Sequence, residues 1–403
     1  MRKEFILNRV LLMLILAIGF VSCSKEENGV DLPKDNHFLK EVVVERKIAR
    51  ADIISGLDKA FPELNIATSP LALLIKDVEV ASITYNTTGV DGEPTVASGV
   101  VAMISGTKEY NHLLSIQHGT LDMEEAPSRQ LFYYEMAPVI SNHVVVMADY
   151  LGYGVSQTAD RQHPYLHNES TGRVCADMIE AAREYLAGKR MKETADKVEL
   201  MGYSQGANST MATVYEMEKR GQGSRISAVH AGGGAYDLTA TLTSFVAGGM
   251  GNYPRMGYIP YIIRGLSYGE QITLDDAKIY SPVLIKAGGV EMFSSKPLSQ
   301  WHALLGTDIT QIINPDFFAF PTFNGNADIM KLFAAVEKNS LVKRDAAKTA
   351  VKLYHSRADD FVPYSNAVAA QGKWSNATLT DLTSQGHIQA GMEFMLRYMG
   401  LWK

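Results

Sequence analysis

The pentapeptide Gly202-Tyr203-Ser204-Gln205-Gly206 carries the clearest chemical signal in this 403-residue chain. Val198-Glu199-Leu200-Met201 before it reads as a strand. Residues 205–220 after it read as a helix, with Ala207, Met211 and Val214 on one face. A serine at such a strand–turn–helix elbow sits in a strained backbone with its hydroxyl presented outward. A side chain two residues to either side would collide there, so glycine suits both Gly202 and Gly206. The following helix directs the positive end of its dipole at the same point. This arrangement suits nucleophilic attack by Ser204, with the amide of Gln205 as one donor to the developing oxyanion.

A serine hydroxyl needs a general base. On an elbow of this kind the acid, and then the histidine, follow the serine along the chain. Of the ten histidines, only His355 and His387 lie beyond residue 302. His387 follows Gly386 on a loop just past the last expected strand, where a mobile imidazole can reach Ser204. His355 ends an apolar strand and reads as a packed residue. The acid is expected in the turn after that strand, where Asp359 and its neighbour Asp360 are the candidates. Asp149 precedes the serine, and the expected order argues against it; Asp237 is a further alternative. The second oxyanion donor is expected in His118-Gly119-Thr120, with the amide of Thr120 preferred and His118 tying the loop down. No H-E-x-x-H or paired-cysteine pattern occurs, so neither a metal nor a cofactor is expected. Ala231-Gly232-Gly233-Gly234 lacks the pattern of a phosphate loop.

The elements needed to position these residues form an α/β series. Strands are expected at 78–85, 95–103, 113–117, 144–148, 198–202, 226–231, 351–354 and 378–382, giving a mostly parallel eight-stranded sheet. The first two flank a turn at 88–92 and should pair antiparallel. Residues 173–187 form a second amphipathic helix pattern, carrying Cys175 as a small buried hydrophobe. Residues 238–340 interrupt the alternation and are rich in Met, Tyr, Ile and Gly. Loops without secondary structure rarely exceed about 15 residues in a compact domain, so this segment reads as an inserted helical cap. It divides the core into residues 41–237 and 341–403, and its composition favours an apolar or aromatic acyl pocket.

Taken together these residues resemble the secretory lipase branch of the α/β-hydrolase superfamily. The matching segments are Ala97-Ser98-Gly99-Val100-Val101, His118-Gly119-Thr120, Asp149-Tyr150-Leu151-Gly152-Tyr153-Gly154, the Ser204 elbow, Asn339-Ser340-Leu341, residues 359–363 and Gly386-His387. Asp359, four residues before Pro363, resembles the D-x-x-V-P pattern that carries the acid in many α/β-hydrolases, which favours it over Asp360. The resemblance implies a Ser204–Asp359–His387 triad, an inserted lid and carboxylic-ester substrates cleaved through an acyl-enzyme. His355-Ser356 stands where His-Gly is common in the family. A serine peptidase of the same fold and a non-catalytic surface binding protein are the alternatives.

The net charge of −6 and the absence of a long basic run give no reason to expect a nucleic acid partner. The expected partner is a small-molecule, lipid or glycan ester. At the N-terminus, Arg2, Lys3 and Arg9 flank an apolar run at 10–21, the pattern of an export signal over residues 1–22. Phe20-Val21-Ser22-Cys23 resembles a bacterial lipobox, which implies lipidation of Cys23. The acidic stretch that follows resembles the export tag of Bacteroidetes surface lipoproteins. Residues 23–40 read as a tether. The expected location is the bacterial outer membrane, with the lipid anchor as the only membrane contact.

Overall fold

The computed structural model describes residues 37–402, apart from 61, 63, 64, 133, 247–252 and 254. Signal segment, lipobox and most of the tether therefore lie outside the described residues. Strands β1 (Leu39–Ile48), β2 (Val78–Thr88), β3 (Pro94–Ile104), β4 (Leu113–Gln117), β5 (Val144–Ala148), β6 (Val198–Tyr203), β7 (Ile226–Gly232), β8 (Val351–Ser356) and β9 (Ala377–Leu382) form one sheet. Its spatial order is β1-β2-β3-β5-β4-β6-β7-β8-β9. The first four in that order pair antiparallel, and from β5 to β9 every pairing is parallel.

The sheet thus has nine strands rather than the eight expected. The addition is β1, which begins at Leu39, inside the segment read as tether. Its charges, Lys40, Glu41, Glu45, Arg46 and Lys47, hide the strand from a hydrophobicity reading. They suit an edge strand, where charge discourages pairing with another chain.

Strand residues alternate between two apolar clusters, as the two-residue side-chain period requires. Ile83, Val101, Val146 and Leu200 face helices α2 (Asn168–Gly188) and α3 (Gln205–Lys219). Val80, Val100, Val145 and Met201 face the opposite side. There they meet Ile53 and Leu57 of α1 (Arg50–Ala60), and Ala390, Phe394 and Met395 of α9 (His387–Tyr398). Covering both faces explains why β4 and β5 are buried along their whole length.

Between β7 and β8 the chain forms α4 (Leu238–Val246), α5 (Tyr258–Gly269), α6 (Leu298–Leu305) and α7 (Ala327–Asn339), with short helical turns among them. Helix α8 (Ser365–Lys373) follows β8. Helices α4 to α7 share a cluster of their own, which includes Phe245, Ile262, Leu266, Phe293, Trp301 and Leu332. At one seam with the core, Asn168 donates its backbone N–H to Asn339 Oδ1 at 2.9 Å and its Nδ2 to the Asn339 carbonyl at 2.7 Å. Glu270 accepts from Asn339 Nδ2 at 2.7 Å beside His167. Among the described residues no helix is long and apolar enough to cross a membrane.

Candidate active site

Strand β6 ends directly before Ser204, and α3 starts directly after it. Ser204 holds φ 60° and ψ −123°, the strained conformation expected of an elbow. Its N–H donates to the Gly232 carbonyl at 2.8 Å. A Cβ on Gly202 would run into the Gly206 carbonyl, and one on Gly206 into the Gln117 carbonyl. The two glycines are therefore required by packing across the elbow.

The structure brings Ser204, His387 and Asp359 together. His387 Nε2 lies 2.8 Å from Ser204 Oγ, and His387 Nδ1 lies 2.7 Å from Asp359 Oδ2. These contacts join residues separated by 183 and 28 positions in the chain. Asp359 is held by the N–H groups of Phe361 and Val362, which donate to Oδ1 at 2.9 and 2.8 Å. Burial pushes this carboxyl upward, but the His387 and His355 side chains outweigh burial and hold it well below the usual carboxylate range. The Asp359 carboxylate is therefore charged at neutral pH and can fix the imidazole tautomer.

Asp360 has a different partner. Its Oδ1 accepts the backbone N–H of His387 at 2.8 Å. His355 is fully buried, with Nε2 3.0 Å from the Val362 carbonyl and 3.3 Å from Asp359 Oδ2. It packs within the fold, as expected, and also touches the acid.

Several supports were not evident from sequence. The hydroxyl of Tyr203, the variable residue of the elbow, donates to the His387 carbonyl at 2.9 Å. Phe361 stacks on the imidazole with ring centres 4.9 Å apart. Glu393, buried in α9, accepts the N–H groups of Thr383 and Ser384, anchoring the segment that leads to His387. The spacing of Glu393 and Arg397, which pair at 2.7 Å, is a helical i,i+4 signal, but it does not disclose the loop held by Glu393.

The oxyanion loop is also tied down. Buried Glu135 accepts the Gly119 N–H at 3.2 Å. No acceptor among the described residues takes the Thr120 N–H. Gln205, the first residue of α3, has no intrahelical acceptor for its own N–H. His118 places Nδ1 2.7 Å from the Gly119 carbonyl and stacks on Tyr150 at 4.1 Å. Burial lowers its pKa to about 4, so the ring is neutral near pH 7. This matches its expected loop-tying role.

The remaining acids are engaged elsewhere. Asp149 is fully buried, where it accepts from Ser98 Oγ at 2.5 Å and from the Ser128 N–H at 2.8 Å. Asp237 accepts the Ala240 N–H at 2.9 Å, within the first turn of α4, and the Ser340 hydroxyl at 3.2 Å. Cys175 is buried in α2, and burial raises its thiol to about 12. Cys23 lies outside the described residues. Among those residues no group of three or more His, Cys, Asp or Glu could hold a metal ion.

A cavity of about 300 Å³ opens on Ser204, His387 and Thr120. An acyl carbon beside Ser204 Oγ would meet a nucleophile, a base paired with a charged acid, and a loop with an unengaged N–H. That set of groups can perform acyl transfer.

The model of the secretory lipase family matches residues 132–393, more than half of the chain. No curated protein matches the sequence. Among solved structures, the rice cell wall degrading esterase LipA from Xanthomonas oryzae is 25% identical, with a TM-score of 0.68, and the match covers 89% of this chain and 95% of that one. A Legionella pneumophila protein is 22% identical with a TM-score of 0.72, covering 90% and 98%. Candida antarctica lipase A in its closed state is 15% identical with a TM-score of 0.60, covering 94% and 87%; these last two likenesses concern the fold. The family is a secretory one, which points to an exported protein. The chain belongs to the secretory lipase family, and is thus a lipase- or esterase-type hydrolase of ester bonds on an α/β-hydrolase fold.

Proposed function

We propose that the protein is a serine carboxylic-ester hydrolase working through an acyl-enzyme. Ser204 Oγ attacks the acyl carbon while His387 Nε2 takes its proton. The amides of Gln205 and Thr120 hold the oxyanion. His387 then protonates the leaving alcohol, and the ester C–O bond breaks. Water, deprotonated by the same imidazole, attacks the acyl-enzyme and releases the acid and free Ser204. Asp359 orients the base and stabilises the imidazolium. The unbroken chain of contacts from Ser204 Oγ through His387 to Asp359 Oδ2, at 2.8 and 2.7 Å, carries this reading. The likeness to an esterase acting on rice cell walls supports ester cleavage. The reading extends to the N-terminus, where acylation of Cys23 would hold the enzyme at the bacterial outer membrane.

A fluorophosphonate probe tests the mechanism. Wild type is expected to be labelled and Ser204→Ala not. Absence of labelling in well-folded wild type would remove the nucleophile from the proposal.

A further inference from the structure

The cavity at Ser204 is lined mainly by residues of the hydrolase core. Among the described residues that line it, Tyr258 alone comes from residues 238–340. The insertion's composition points to an apolar or aromatic pocket; among the described lining residues the core supplies nearly all of the wall. Ile388, Gly391, Met392 and Met395 line it from α9 at positions i, i+3, i+4 and i+7, a single helix face. Helix α9 begins at His387, so at about 1.5 Å per residue its face carries the cavity about 12 Å from that residue. Ile116 and Met201 line the sheet side. Gly56, Leu57 and Lys59 of α1 also line it. A Cβ built on Gly56 meets no atom within 4 Å, so there is free space beside the helix backbone at this point. Helix α1 lies outside the segment matched by the family model.

We propose that this channel holds the acyl part of the ester as an unbranched apolar chain of medium length, with Gly56 and Met395 setting the length limit. The proposal rests on the acyl-enzyme reading above. It favours the acyl over the alcohol side for a geometric reason. The carbonyl oxygen is expected at the Thr120 and Gln205 amides, and Gln117, Gly119 and Thr120 also line this channel. The acyl chain stays bonded to the carbonyl carbon through the acyl-enzyme and can remain in the channel, while the alcohol must leave so that water can enter. Two carboxyls also line the channel. Burial raises Glu135 to about 8 and Glu125 to about 7, which reduces the charge an apolar chain would meet.

The test is a series of p-nitrophenyl esters from acetate to palmitate on the full chain, with kcat/KM measured for each. In wild type kcat/KM should rise up to about fourfold per added methylene, the limit set by complete burial, and fall beyond the medium lengths. Gly56→Phe should lower the octanoate-to-butyrate ratio of kcat/KM at least tenfold. Met395→Ala should move the optimum to longer acyl chains. A uniform loss in Gly56→Phe, with the ratio unchanged, would overturn the channel assignment. So would a Gly56→Phe effect that followed the alcohol chain in a parallel series of alkyl acetates. Gly56 is half-buried on a helix that gains propensity when glycine is replaced. It therefore decides the matter even if Met395→Ala fails to fold. Hydrolysis of short esters with no channel effect would leave the acyl-enzyme reading standing, whereas no turnover of any ester would overturn both.

Discussion

The carboxylate of Asp359 and that of Asp360 are adjacent in sequence but act on different atoms of one histidine. Asp359 meets the imidazole, and Asp360 meets the backbone N–H. Asp359→Asn presents an amide where an anion is needed, and kcat is expected to fall roughly 10³- to 10⁴-fold. Asp360→Asn keeps an oxygen able to accept the N–H, and the loss should stay below about tenfold by hydrogen-bond magnitudes. Equal losses in the two variants would mean that the acid has been misassigned. Glu135 gives a pH-dependent signature. Burial raises its pKa from 4.5 to about 8, against the pull of the Gly119 N–H. Between those values the folded protein keeps a proton that the unfolded chain releases. The stabilisation from this group is complete below 4.5 and is lost as pH rises through about 8. Glu135→Gln removes that alkaline loss. The melting temperature of the variant relative to wild type should therefore climb by several degrees from the acid to the alkaline side of the window. A difference that is flat with pH would show that Glu135 titrates normally.

Two elements place the reacting atoms. The β6–α3 elbow aims Ser204, and the first turn of α9 aims His387. Tyr203 joins them, because its backbone belongs to β6 while its hydroxyl donates to the His387 carbonyl. Tyr203→Phe removes that bond while retaining the ring against His387 and Phe394. A typical net hydrogen bond contributes about 1 kcal/mol, which is roughly fivefold in rate if it serves only to position His387. Ester hydrolysis should fall by about that factor, and the melting temperature should drop by roughly 2 °C. No change in either would mean that Asp360 and Glu393 suffice to position the helix start. The elbow was legible in the sequence because its steric demand is local: Gly202 and Gly206 each avoid a nearby carbonyl. Strand β1 was not legible, because an edge strand need not alternate and its charges resemble those of a tether.

At the scale of the molecule, the described residues form a hydrolase core with a helical insertion fastened through Asn168, Glu270 and Asn339. The proposed lipid on Cys23 would tether this body to a membrane. Acyl chains contribute about 0.8 kcal/mol per buried methylene, so several chains hold a protein firmly. Cys23→Ala is expected to move the protein from the membrane fraction to the soluble fraction in the host cell, as followed by immunoblot. Retention in the membrane fraction would remove the anchor from the proposal.

Residue types and their spacing along the chain were enough to single out Ser204 and His387, which the fold brings together, and the class of sheet. Each of these depends on short-range rules: glycines that clear a tight turn, a two-residue strand period, and the order in which parallel strands deliver their loops to one edge. Folding settled the remainder. Whether residue 359 or 360 reaches an imidazole depends on how β8 and α9 pack, since adjacent side chains leave the backbone in different directions. The channel walls depend on packing in the same way, because Gly56, Met201 and Met395 become neighbours only when α1 and α9 cover the same face of the sheet.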